Sequence, residues 1–161
     1  MKTIIGLVAG TFLATSAFGF NISDLPGGSF EGAGTWKMPN GDTGRYTETL
    51  EIEKTEAGVE LHTVTTVYHE GSEEVMTVDY ILTDVGNGFF TVAGTSEQGE
   101  SVGEGYCFEK TCHWSNTEPN GKSEETFHFH RGRVMKIGSA SGTTPEGDWS
   151  VAWRGQMRRA N

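Results

Sequence analysis

Cys107 and Cys112 are the only cysteines of the 161-residue chain, and Glu109-Lys110 stands between them at the centre of the interval. Taken as a two-residue hairpin turn, Glu109-Lys110 pairs Phe108 with Thr111 and sets Cys107 against Cys112 at the next rung. That rung is a non-hydrogen-bonded pair, whose shorter separation a disulfide can span. A structural disulfide is therefore expected. Redox catalysis is the alternative, although redox pairs normally have two intervening residues at a helix start, and this pair has four. His128 and His130 lie two apart and alternate with Phe127 and Phe129, so on a strand their rings share one face. With the phenylalanines inward the histidines face solvent, where they are weak metal candidates lacking third and fourth ligands. Glu48 lies between Tyr46 and Leu50 on one side of an alternating run. A carboxylate there is costly to bury without a partner, which makes it either a ligand handle or a rim residue. No nucleophile motif, phosphate loop or zincin signature occurs, and Gly103-Glu104-Gly105 lacks the strand-to-helix setting of a nucleotide fold.

The elements that must carry these residues are strands. Residues 20–161 show no helical periodicity; short runs rich in Val, Thr, Tyr, Phe and Trp are broken at regular intervals by turn signals. The breaks are Pro39-Asn40-Gly41, Glu56-Ala57-Gly58, Glu70-Gly71-Ser72, Gly86-Asn87-Gly88, Gln98-Gly99, Glu109-Lys110, Pro119-Asn120-Gly121, Arg131-Gly132 and Pro145-Glu146-Gly147. They predict ten strands, at 29–38, 44–54, 59–69, 73–83, 89–95, 100–108, 111–116, 122–130, 133–140 and 148–157. Connections this short favour an antiparallel up-and-down meander, and closure into a β-barrel removes its two edges. A β-sandwich is the alternative. Alternation places Phe30, Gly32, Gly34 and Trp36 on one face of the first strand. The expected inward set continues with Tyr46, Glu48, Leu50 and Ile52; Met76, Val78, Tyr80 and Leu82; Phe127 and Phe129; Met135 and Ile137; and Trp149 and Trp153.

Composition narrows the function classes. The chain has 22 acidic against 12 basic residues, a formal charge of -10, which disfavours a nucleic-acid partner. Charge is uneven, with five bases and twenty acids in 20–130 but six bases and two acids in 131–161. Outward strand residues explain the basic segment, and an anionic partner is the minority alternative. Lys2 followed by an apolar run to Ala17, with small residues at Ala17 and Gly19, has the layout of a secretory signal. We expect residues 1–19 to direct export to the periplasm or the extracellular space, leaving 20–161 as one domain. The apolar run is too short for a transmembrane span.

Gly34-Thr35-Trp36, on the first strand and preceded by a Ser23-Asp24-Leu25-Pro26 turn, resembles the G-x-W signature of the lipocalins and the wider calycin group. The resemblance implies an all-β barrel in which a basic residue from the last strand packs across the tryptophan, a role open to Arg154 or Arg158. Ten strands are more similar to the fatty-acid-binding and nitrobindin-like members, or to small bacterial lipocalin-like barrels of unassigned function. The nitrobindin-like members raise haem as a cofactor, which would need an axial histidine inside; His62 and His113 are further candidates for it. The expected function is a non-enzymatic carrier or sensor of a small hydrophobic or aromatic ligand, held by Tyr46, Glu48, Tyr80, Phe129, Trp149 and Trp153. Two alternatives stay open. One is a calycin-type isomerase or decarboxylase using the interior carboxylate and a tyrosine; the other is an interaction or inhibitor barrel acting through its loops.

Overall fold

A computed structural model describes residues 19–161, so the expected export segment lies outside the described residues apart from Gly19. A 3₁₀ turn, η1 (Ile22–Asp24), precedes ten strands: β1 (Gly28–Lys37), β2 (Thr43–Lys54), β3 (Val59–His69), β4 (Ser72–Gly86), β5 (Phe89–Ser96), β6 (Gly99–Phe108), β7 (Thr111–Glu118), β8 (Gly121–His130), β9 (Arg133–Thr144) and β10 (Gly147–Arg159). Each strand pairs antiparallel with its sequence neighbour, and β1 pairs with β10 from Phe30↔Arg159 to Lys37↔Ala152. The sheet is thus a closed barrel, and the sandwich alternative falls. No helix among the described residues is long and apolar enough to cross a membrane.

The turn chemistry sets the register. Glu70, Asn87, Glu109 and Arg131 have positive φ, each followed by or set beside a tight reversal, so consecutive strands meet with almost no slack. Side-chain alternation then divides the residues between lumen and solvent. One end of the barrel is packed solid by Phe30, Leu50, Ile52, Val59, Leu61, Leu82, Phe90, Val134 and Met157, and η1 plugs it with Ile22 and Leu25. Asp24 holds that turn by accepting a hydrogen bond from the Asn21 amide at 2.9 Å. Lys54 ties it to β2 by donating to the Ser23 carbonyl at 2.7 Å.

Cys107 and Cys112 are bonded at this packed end, with Cα atoms 4.0 Å apart and neither residue exposed. They face each other one rung beyond Phe108↔Thr111, as the two-residue turn requires. Thiol labelling of the denatured, unreduced protein should find no free thiol. Reduction should lower stability by about 2 kcal/mol, the value for so short a loop. Two reactive thiols in freshly prepared protein would contradict the pairing.

Two sequence expectations are corrected by the register. Met135 and Ile137 face solvent, at 48 % and 59 % exposure, while Val134 and Lys136 face the lumen. The Arg131-Gly132 turn pairs His130 with Arg133 and hence inward Phe129 with Val134, which fixes the parity of the whole of β9. Arg154 and Arg158 likewise stand on the outer face of β10, opposite Thr35 and Glu31, so neither reaches across inward-pointing Trp36. The arginine that stacks on a ring at this seam is Arg159, 5.8 Å above the Phe30 centroid, which also donates to the Gly27 carbonyl.

Candidate functional site

Burial changes character along the barrel axis. Towards the end formed by the β1–β2, β3–β4, β5–β6, β7–β8 and β9–β10 turns, inward residues such as Met76, Val78, Trp149, Val151 and Trp153 are only partly buried. That end is a mouth. Several of its rings lie along the wall because the neighbouring strand offers a glycine where they rest. A Cβ on Gly34 would fall 2.3 Å from the Tyr46 ring, and one on Gly138 would fall 2.4 Å from the Trp153 indole.

Three charged side chains cross the waist between the mouth and the packed end. Lys136 Nζ is 2.6 Å from Glu48 Oε1 and 3.0 Å from Glu125 Oε1, and all three residues are more than nine-tenths buried. Lys136 reaches Glu48 from a strand three positions away round the barrel, over the Phe127 ring. Glu48 is therefore not a rim residue: its carboxylate is engaged inside by the ammonium of Lys136, which β9 carries on its lumen face. The Glu125 carboxyl is pushed up by burial, an effect Lys136 opposes. Burial acts against the Lys136 ammonium, but the two carboxylates outweigh it and raise its pKa. The phenols of Tyr46 and Tyr80 are raised as well, by burial first and then by Glu48 and Glu125 respectively. Both tyrosines keep their protons and present hydroxyls as hydrogen-bond donors.

Around this trio several buried polar atoms have no partner among the described residues: Tyr46 Oη, Trp114 Nε1, both amide atoms of Asn116, Glu125 Oε2 and, nearer the mouth, Trp36 Nε1. Native interiors satisfy almost all such groups. Trp114 packs beside Tyr80 and stacks on Phe127 with centroids 4.6 Å apart, so the unpaired donors and acceptors are framed by aromatic faces.

Of the residues expected to hold a ligand, Tyr46, Glu48, Tyr80, Trp149 and Trp153 all have inward parity. Glu48 lies in the waist, Tyr80 packs against the buried core, and Trp149 and Trp153 are the partly buried residues nearer the mouth. Phe129 also points inward but belongs to the packed end, paired with Val134. Sequence reasoning missed Lys136, Glu125, Asn116 and Trp114. Strict alternation from Phe127 would have placed Glu125 inward, and the tight turn after His130 would have done the same for Lys136. Clefts of about 470 and 960 Å³ adjoin the mouth beside Met38 and Pro39; the first includes Ser123, Ala140 and Val151, the second Gly121 and Trp149. Neither touches the trio, which sits further down the barrel.

The histidines do not supply an interior axial ligand in the way haem would require. His128 and His130 project outward with rings 6.4 Å apart, and His128 shares a hydrogen bond with Thr111. His113 bonds Thr126 and His62 pairs with Asp79, both on the outer face. His69 has inward parity but stands at the mouth, its ring 5.1 Å from that of Trp36. No group of three or more His, Cys, Asp or Glu among the described residues is arranged to hold a metal ion.

No protein-family model and no curated protein matches the sequence. Solved structures do match. The chain is similar to an S-type phycobiliprotein lyase, CPES, from Guillardia theta, with a TM-score of 0.65 and 11 % identity over 84 % of this chain and 88 % of that one. It is also similar to Rv2717c from M. tuberculosis, with a TM-score of 0.62 and 10 % identity over 84 % and 92 %. At such identity the likeness concerns the fold alone, a closed antiparallel barrel of ten strands.

Proposed function

We propose that the chain is an exported, non-enzymatic binding protein that holds one small apolar or aromatic molecule between the waist and the mouth of the barrel. The observation that carries this reading is the cluster of buried, unpartnered polar atoms on Tyr46, Trp114, Asn116 and Glu125, set among aromatic rings. A pocket of mostly apolar lining with a few convergent polar groups is the usual form of a small-molecule site. Export is supported by the character of the first nineteen residues and by a disulfide buried in the core, a bond that persists in oxidising compartments.

Titration with a hydrophobic naphthalene dye should quench tryptophan fluorescence saturably, at one site per chain. Trp153→Ala or Tyr80→Ala should weaken binding by about tenfold, as loss of an aromatic anchor does. Arg133→Ala, on the outer face, should leave it unchanged. Absence of binding at micromolar dye would overturn the carrier reading and favour a barrel that acts through its loops.

A further inference from the structure

The charge balance at the waist says what kind of molecule the lumen takes. Two carboxylates, on Glu48 and Glu125, face a single ammonium, that of Lys136. Lys136 is committed to both, so it offers little to an anionic ligand. Glu125 Oε2, in contrast, has no partner although the residue is only 5 % exposed. On the neighbouring strand Asn116, 2 % exposed and opposite Ser123, carries a second unpaired amide, its oxygen resting over Gly103 of β6. Unpaired acceptors in low dielectric are satisfied by a ligand that brings donors, and a charged donor makes the stronger bond.

The approach to the site has the same sign. The turns at the mouth and the residues flanking them place Asp42, Glu70, Glu73, Glu97, Glu146 and Asp148 around the entrance, against Lys37 and Lys122. Acidic rims raise the local concentration of cations. Below the rim, Trp114 is the register partner of Glu125 on the neighbouring strand and meets Tyr80 edge-on, which lines the acidic site with aromatic rings; such rings attract cations as well as apolar bodies.

We infer that the ligand is an apolar or aromatic amine: its ring body lies among Tyr46, Tyr80 and Trp153, and its N–H group donates to Glu125 Oε2. This inference rests on the binding reading above and narrows it. It assigns Glu125 as the specificity-determining residue, and it excludes fatty acids and other carboxylates as the preferred cargo.

Three probes of matched shape test it on the intact protein at neutral pH and moderate salt: naphthylmethylamine, naphthylmethanol and naphthoate. The amine should bind at least about tenfold more tightly than the alcohol, the factor a charge-assisted hydrogen bond supplies, and naphthoate should bind most weakly. Glu125→Gln preserves size while removing the charge; it should abolish the preference for the amine and leave affinity for the alcohol within about twofold of the parent. Because the ranking on the unaltered protein is decisive by itself, the test survives a variant that fails to fold. Naphthoate binding as well as the amine overturns the inference while the binding reading stands. An amine preference that persists in Glu125→Gln also overturns it, since the acidic rim alone would then be the cause. If no probe binds, both readings fail together.

Discussion

Lys136→Met should destabilise the protein by about 3–5 kcal/mol, the usual cost of removing one partner from a buried ion pair and leaving the other charge behind. The variant keeps most of the apolar stem of the side chain and replaces the ammonium with nothing charged, so the loss chiefly reports charge. Glu48 and Glu125 would face each other across the waist with no ammonium between them. Urea unfolding followed by far-UV circular dichroism measures the difference. A loss below about 1 kcal/mol is what a solvent-exposed ion pair gives, and would mean that water fills the waist.

The pH profile separates this electrostatic account from lost packing. In the parent, the carboxyl of Glu125 titrates above its unfolded value, so its stabilising contribution is complete below about pH 4 and is lost as pH rises through the folded pKa. Lys136 is also raised; its contribution holds across neutral pH and is lost only when pH climbs through its folded value, above about 10. Deleting the ammonium pushes the Glu125 carboxyl further up. The deficit of Lys136→Met should therefore be smallest in acid, grow towards neutral pH, and stay large until strongly alkaline pH neutralises the lysine of the parent. A deficit constant across that range would assign the loss to packing.

The same lysine shows what the sequence could and could not convey. Strands and turns were readable because each two-residue or glycine-bearing break carries its own backbone signal, and the disulfide followed from one such turn. The site required parity to be carried through a turn, and on β9 two patterns competed. Val134, Met135 and Ile137 are all apolar, so hydrophobicity alone favoured the face with two of them. The geometry of Arg131-Gly132 favoured the other face, and geometry prevailed because Phe129 and Val134 must share the packed end. Glu125 was hidden in a similar way, next to exposed Glu124 in an acidic stretch. The resting of Trp153 on Gly138 and of Tyr46 on Gly34 was not readable at all. Each ring faces its glycine as a cross-strand partner within one hairpin, so the pairing follows from hairpin register, but the lean of the ring onto the bare backbone is a rotamer choice that the residue pattern does not encode.

Trp36→Ala is expected to cost about 3–5 kcal/mol, as large aromatic deletions from cores do. The resemblance that first drew attention to this residue placed a basic partner across it, and Arg154 and Arg158 do not serve. The physical case for the tryptophan is different. It is the ninth residue of β1, near the mouth and far from the η1 plug, yet only 8 % exposed. Its register partner across the β1–β10 seam is inward-facing Trp153, its ring meets His69 edge-on, and Gly44 of β2 is bare where the indole lies; a Cβ there would fall 2.5 Å from the ring. One side chain thus packs against three strands at the point where the sheet closes on itself. Removing it should loosen the seam before the packed end, so amide exchange in Trp36→Ala should rise first at residues 34–37 and 152–155, and a disulfide-stapled core should outlast it. Trp36→Phe should recover most of the lost stability, because Nε1 has no partner to forfeit. A melting temperature for Trp36→Ala equal to that of the parent would show that the seam is held by backbone pairing alone.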